Sequence, residues 1–312
     1  RDIRHLGACH LYIHATESTV RPDKAEACAE YLGSAFPGAS HINHMPSHTW
    51  NEVGRWGDSV RANLAAWHTD QKAAIGEGFA IYAQHNLHML LFAASMDGQG
   101  AIAIQAGKDH AKLTGNTHYH VLTLLRFGRF DEILAMEDRS ENEIFGGMWD
   151  FAQGYAHLRN DEVDFARVYL NRVLAAADSS EATFRRESAR LLLGTLGGIL
   201  EGEIHRDAGE IDAAIASFER AVSLEDEMSY DEPERLPFPA RHWLGAALLE
   251  AERYQDAERV YREDRADHPH NGWSLFGLQT ALDAQAKSSS EVNADLRSSW
   301  ARSDTWLRAS RF

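Results

Sequence analysis

Histidine returns along the first part of this chain at an interval that points to one kind of architecture. His10-Leu-Tyr-Ile-His14-Ala-Thr-Glu17 is followed by His41-Ile-Asn-His44-Met-Pro-Ser-His48 and then by His85-Asn-Leu-His88. His10 to His44 is 34 residues, and His14 to His48 is 34 again. Self-similarity at a period of roughly 20 to 50 residues marks an array of stacked units, each burying its apolar face against its neighbours. Within each segment the histidines lie three, four or seven apart, the spacings that share one face of an α-helix. The repeat predicts histidine stripes on successive, adjoining helices.

The rest of the chain reads the same way. Apolar residues recur at helical spacing, no alternating strand pattern stands out, and only 7 prolines occur in 312 residues. The expected fold class is all-α. Gly202-Glu-Ile-His-Arg-Asp-Ala-Gly209-Glu-Ile211-Asp-Ala-Ala214, leading on to Phe218 and Ala221, reads as a helix end, a tight turn at Gly209 and a second helix with small and aromatic packing positions. Gly245 to Tyr254, Ala257 and Tyr261, ending at Pro269, repeats the scheme, and Gly54-Arg-Trp56 and Gly128-Arg-Phe130 look like two further turns.

These residues resemble the tetratricopeptide (TPR) family. The resemblance implies a TPR-like α-solenoid, a right-handed superhelix of antiparallel helix pairs. About seven units are expected, with turns or second helices near residues 22, 55, 99, 129, 162, 210 and 253. The second and third are spread apart by an insertion at 70–82 containing Gly76 and Gly78. One continuous solenoid is expected: His-rich units over 1–125, further units over 126–270, and a closing helical pair over 271–312 carrying Gly-Trp273-Ser-Leu-Phe-Gly277-Leu, Trp300 and Trp306, with a polar, solvent-tolerant outer face. The chain is also similar throughout its length to a bacterial group of tetratricopeptide proteins that carry the same three histidine segments and a Gly-Trp-x-Leu-Phe-Gly-Leu tail.

Registering the units on Ala25, Ser59, Ala103 and Ile133 puts His10, His44, His88 and His118 at one repeat position. His14 and His48 share a second position, His41 and His85 a third, and Glu17 matches Asn51 and Ser95. The family resemblance implies that these positions line the concave groove. Neighbouring helices pack about 8–10 Å apart, and metal–imidazole bonds are about 2.0–2.1 Å, so histidines on adjacent helices can share an ion. The candidate ligands are His10, His14, Glu17, His41, His44, His48, His85 and His88, with His118 and His5 as a second tier. They exceed what one tetrahedral ion needs, so either two ions sit in the groove or some side chains orient others. Imidazole-rich sites suit Cu, Zn, Fe or Ni, and sparse carboxylates argue against Mg or Ca. Two sets of three histidines would also suit a coupled dicopper centre. Glu17 is open to three roles: ligand, orienting group, or general base on a metal-bound water.

The expected function is transition-metal binding at a mono- or dinuclear site in the groove, with a metal-dependent oxidase or hydrolase as the catalytic form. The alternative is a metal-free adaptor that holds a peptide, protein segment or small molecule there, the commoner role of such folds. A formal net charge of −16 disfavours nucleic acid and anionic membrane. No apolar run reaches the roughly 18 residues of a bilayer span. There is no phosphate-cradling glycine loop, nucleophile elbow, Cys-x-x-Cys or His-Glu-x-x-His. Cys9 and Cys28 could bridge within the first helical pair, but free thiols are expected. The chain opens on Arg1 almost inside a helix, so a preceding segment is expected, and with it any targeting signal. Compartment and oligomeric state stay open. His268-Pro-His270 reads as a surface loop, His242 as groove-lining polarity, and His110 and His120 as outside the lattice. Trp50, Trp56, Trp67, Trp149, Trp243 and Trp273 read as inter-helix packing, and Asp97, Glu52 and Arg55 as either groups orienting the histidines or solvated helix ends.

Overall fold

A computed structural model describes residues 5–77 and 79–311; Gly78 of the insertion lies outside the described residues. The fold is all-helical, as the periodicity predicts. Its elements are α1 (Leu6–Glu17), a 3₁₀ turn (Pro22–Ala25), α2 (Glu26–Ala35), α3 (Ser40–His44), α4 (Pro46–Glu52), α5 (Trp56–Ala74), α6 (Ala83–Met96), α7 (Gly100–Thr114), α8 (His118–Arg126) and α9 (Phe130–Leu134). They continue with α10 (Glu143–Arg159), α11 (Val163–Ser179), α12 (Ala189–Asp207), α13 (Ile211–Asp226), α14 (Arg241–Glu250), α15 (Tyr254–Asp267), α16 (Gly272–Ala284) and α17 (Ser290–Ser299). A two-strand hairpin, β1 (Thr183–Phe184) with β2 (Glu187–Ser188), interrupts the series, a feature the sequence pattern was too short to show.

The same turn joins helix to helix along the chain. Gly54, Gly98, Gly128 and Gly209 each adopt a left-handed φ, between 67° and 76°, two residues before the next helix starts. Asp161 and Glu252 take that place in two other turns, with φ of 61° and 57°. A left-handed residue after the last helical turn lets its N–H satisfy a carbonyl the helix leaves unpaired, and glycine does so without a Cβ clash. Pro46 lacks an N–H and interrupts the run from Ser40 to Glu52, so α3 and α4 form two pieces meeting at Met45.

Cys9 and Cys28 form a disulfide, which corrects the expectation of free thiols. Both side chains face the small core between α1 and α2 with Ile13, Ala29 and Leu32, and their Cα atoms are 5.0 Å apart. The bond fastens α1, which carries His10, His14 and Glu17, to the rest of the fold. Cys9→Ala paired with Cys28→Ala removes the closure of a 19-residue separation, and is expected to destabilise by about 3 kcal/mol. Thermal melts of oxidised, reduced and double-variant protein check this.

The C-terminal segment keeps a polar, largely exposed outer face, α17 burying none of its residues, while some of its side chains also reach back to earlier helices. Trp56 Nε1 donates to the Pro269 carbonyl at 2.8 Å, and Trp273 Nε1 to the Ser95 carbonyl at 2.9 Å. Arg302 forks onto Asp97 at 2.6 and 2.8 Å. Asp304 accepts the Gly100 and Ala101 backbone N–H groups at 2.7 and 3.0 Å, capping α7, whose own N-cap Gln99 makes no such bond. Arg302 and Asp304 thus satisfy the buried carboxylate of Asp97 and the N–H groups of α7 from the surface, since none of residues 300–305 is buried. Trp306 remains 92% exposed. Trp50, Trp56, Trp149, Trp243 and Trp273 are buried, as their packing role requires.

Candidate metal centre

On α1, Cys9, Ile13 and Thr16 point into the core, so His10, His14 and Glu17 fall on the neighbouring face. That face meets α3 and α4, which bring His41, His44 and His48, and the start of α6, which brings His85. Two groups of three imidazoles form there with their ring nitrogens within 4.8 Å of one another: His10, His14 and His41, and next to them His44, His48 and His85. The groups adjoin, with the His14 and His48 rings 5.0 Å apart and the His41 and His44 rings 5.6 Å apart. His44 and His48 are almost wholly buried; the other four are half-buried, so one group is more open than the other.

Nitrogen faces nitrogen in both groups. His10 Nε2 lies 3.2 Å from His41 Nε2, and His44 Nε2 lies 2.8 Å from His48 Nε2. A tetrahedral ion with bonds of about 2.0–2.1 Å separates its ligand atoms by about 3.3 Å. The opposite nitrogens of His44 and His48 are held by other partners, whereas His41 Nδ1 is buried without one. Glu17 uses both oxygens, Oε1 on His14 Nδ1 at 2.6 Å and Oε2 on His48 Nδ1 at 2.5 Å. Glu232 Oε2 reaches His48 Nδ1 at 2.8 Å, and Asn63 Oδ1 lies 3.0 Å from His44 Nδ1. A carboxylate on one imidazole nitrogen fixes the ring and leaves the other nitrogen for a metal. Glu17 sits where it can orient His14 and His48, and it also belongs to a mixed cluster with His14, His48 and Glu232 that could hold an ion.

The electrostatics follow from that wiring. Burial holds the His44, His41 and His85 imidazoles below their usual range, His41 at about 4 and His85 at about 3, and neighbouring histidines add to the effect. His10 is lowered for the same reasons. Burial also opposes charge on His48, but the hydrogen bonds and charges of Glu17 and Glu232 outweigh it and lift His48 to about 9. Burial likewise raises Glu17, yet its bonds to His14 and His48 win and hold it below the usual carboxylate range. A His48 value raised from 6.5 to about 9 contributes stability that is complete below the unfolded value and lost as pH rises through the folded one. Chelated protein is expected to lose up to about 3 kcal/mol between about pH 6.5 and pH 10. Urea titrations across that range check it, and His48→Gln should flatten the profile.

Three expected residues lie elsewhere. His88 turns away along α6: its Nδ1 meets Arg185 Nη1 at 2.5 Å and the Tyr119 hydroxyl at 3.3 Å. His118 stacks on Phe145 with centroids 3.9 Å apart and faces His110. His5 is exposed and caps α1 by accepting the Ala8 N–H at 3.1 Å. They belong to neither triad, because a shared repeat position fixes a face of a helix but not the side chains that come to meet it. Among the other doubtful residues, Asp97 holds Arg302, and Arg55 binds Asp58 at 2.5 Å and Glu30 at 2.6 Å.

Sequence reasoning missed Glu232 and Asn63. Glu232 lies on the segment between α13 and α14, and nothing in the histidine spacing points to it. Arg185 of the β1–β2 turn holds that segment, donating to Asp231 at 2.8 Å and to the Glu232 carbonyl at 2.7 Å. His268 is a further correction. It is not on a surface loop but 6% exposed, with Nδ1 3.0 Å from Asp264 and Nε2 2.8 Å from Glu234. His242 is fully buried between Arg126 and Asp264 rather than lining a groove. His270, 51% exposed at its side chain, does sit at the surface, on Asp295.

No helix among the described residues is long and apolar enough to cross a membrane. No protein-family model matches the chain, and no curated protein sequence matches it.

Proposed function

We propose that this chain is a metalloprotein holding a dinuclear transition-metal centre, with one ion at His10, His14 and His41 and the other at His44, His48 and His85. The carrying observation is the pair of adjoining imidazole triads, with facing ring nitrogens at near-ligand separation and the opposite nitrogens of His48 and His44 held by Glu17 and Asn63. Neutral imidazoles favour Cu, Zn or Fe over Mg or Ca. Three protein ligands per ion leave positions open, the arrangement of catalytic rather than structural sites. Such a centre supplies metal-centred oxidation or metal-assisted hydrolysis. Glu17 and Glu232 would fix the rings, and Asn63 would set the orientation of His44.

The scaffold is read as a tetratricopeptide-like α-solenoid. The recurring left-handed turn and the packing of each helix on the next in sequence support this. The metal-free adaptor is the second reading. Glu232, reaching His48 from the chain's own loop between α13 and α14, favours the metal reading over it.

Elemental analysis of protein purified without a histidine tag tests the proposal. About two equivalents of transition metal per chain are expected, one per triad. Less than about 0.2 equivalents, persisting after reconstitution with Cu, Zn and Fe salts, would sink it.

A further inference from the structure

An imidazole ring has two nitrogens, and the triads need only one of them. His48 meets His44 through Nε2, while Nδ1 of His48 and Nδ1 of His14 turn toward a pair of carboxylates. Glu17 reaches both nitrogens, at 2.5 and 2.6 Å. Glu232 Oε2 lies 2.8 Å from His48 Nδ1 and 3.7 Å from His14 Nδ1. One ligand atom from each of these four residues stands within 4.8 Å of the other three. They come from α1, from α4 and from the segment between α13 and α14.

Hydrogen bonding does not account for all four atoms. Each Nδ1 carries at most one hydrogen, and Glu17 is the partner of both. Glu232 Oε2 is close to His48 yet buried without a well-directed hydrogen bond. No Lys or Arg pairs with either carboxylate among the described residues. Arg185, which holds this segment, directs its donors to Asp231, His88 and the Glu232 backbone carbonyl. The group is also within reach of solvent. The side chains of His14 and Glu232 are 34% and 38% exposed, and Glu17 lines an adjoining cavity of about 810 Å³. An entry path is one requirement of a metal site, and here it is met.

We propose that His14, Glu17, His48 and Glu232 form a further binding site for a divalent transition ion, with two imidazole and two carboxylate ligands, separate from the all-imidazole triads. Ligand atoms around an ion with bonds of about 2.0–2.2 Å are spaced by about 3.0–3.5 Å, so the shortest contacts open by about 0.5 Å. Mixed nitrogen and oxygen donors bring Mn²⁺ and Fe²⁺ into range beside Zn²⁺. The ion displaces the ring protons and lies next to the triads, so it is held more weakly than theirs and fills only in excess metal. His48, with Nε2 on one triad and Nδ1 here, links the two sites. That link rests on the dinuclear proposal, whereas the mixed site does not.

Mn²⁺ titration of the full chain, read by loss of the free-ion electron paramagnetic resonance signal, tests it. About one Mn²⁺ per chain is expected to join protein preloaded with about two equivalents of Zn²⁺, without releasing zinc. Glu232→Gln should weaken Mn²⁺ by more than about 100-fold, past the roughly 10–100-fold cost of losing a partner that only orients a ligand. Glu17→Gln should do likewise, with circular dichroism recorded for both. His85→Ala, which touches one triad alone, should lose zinc and keep Mn²⁺. No bound Mn²⁺, Mn²⁺ displacing zinc one for one, or weakening in Glu232→Gln within the range of an orienting partner would each overturn the proposal. Mn²⁺ held through Glu17 and Glu232 by a chain that takes up no zinc would instead defeat the dinuclear reading alone.

Discussion

His44→Ala is expected to lose the ion of its own triad, cutting bound metal from about two equivalents per chain to about one. His44 is fully buried, its Nε2 faces His48 Nε2 at 2.8 Å, and its other nitrogen is held by Asn63. Removing a partner that only orients a ligand costs roughly 10–100-fold in metal affinity, and removing a ligand costs more. The informative companion is His88→Asn, because His88 shares the repeat position of His44 yet points at Arg185 and Tyr119. It should retain both ions. Metal content after dialysis against a weak chelator, read beside circular dichroism, separates ligand loss from unfolding. Loss of metal from His88→Asn but not from His44→Ala would refute the ligand assignment.

The largest stability effect is expected at Asp264, outside the histidine triads. Its wholly buried carboxylate meets His242 on α14 at 3.3 Å and His268 at 3.0 Å. It also accepts from Asn271 at 3.0 Å and from Ser274 of α16 at 2.5 Å. Arg126 of α8 joins through His242 and lies over the Trp273 ring at 3.9 Å. Four helices meet on one charge. Asp264→Ala strands that cluster and should cost about 3–5 kcal/mol, a fall in Tm of about 5–8 °C for a chain of this size. Asp264→Asn keeps the shape and part of the hydrogen bonding and should cost less. Equal melting of Asp264→Ala and parent protein would show that the network carries no stability.

What could be read ahead of the structure was whatever local periodicity encodes. His10, His14 and Glu17 share a face because four- and three-residue steps do so on any helix, and the 34-residue offset to His44 and His48 stacks two such faces. The turns at Gly54, Gly98, Gly128 and Gly209 were legible for the same reason. The Cys9–Cys28 bond was visible only as a possibility, since spacing cannot tell a bridge from two thiols. What escaped depends on pairing across long separations. Glu232 reaches His48 only because Arg185, from a short hairpin between helices, grips its segment. Arg302 and Asp304 read as a polar tail until the bare start of α7 and the buried Asp97 are seen to need them. His88 kept its place in the column and lost its place in the site, because Arg185 and Tyr119 claim it.

The most direct measurement is anomalous scattering from a crystal of the metal-reconstituted protein, recorded on both sides of the absorption edge of the bound element. The account predicts about two peaks per chain, one within bonding distance of His10, His14 and His41 and one of His44, His48 and His85, at about 2.0–2.1 Å from the ring nitrogens. A map with no peak between α1, α3, α4 and α6, or with the only peak at His268 or His270, would contradict it.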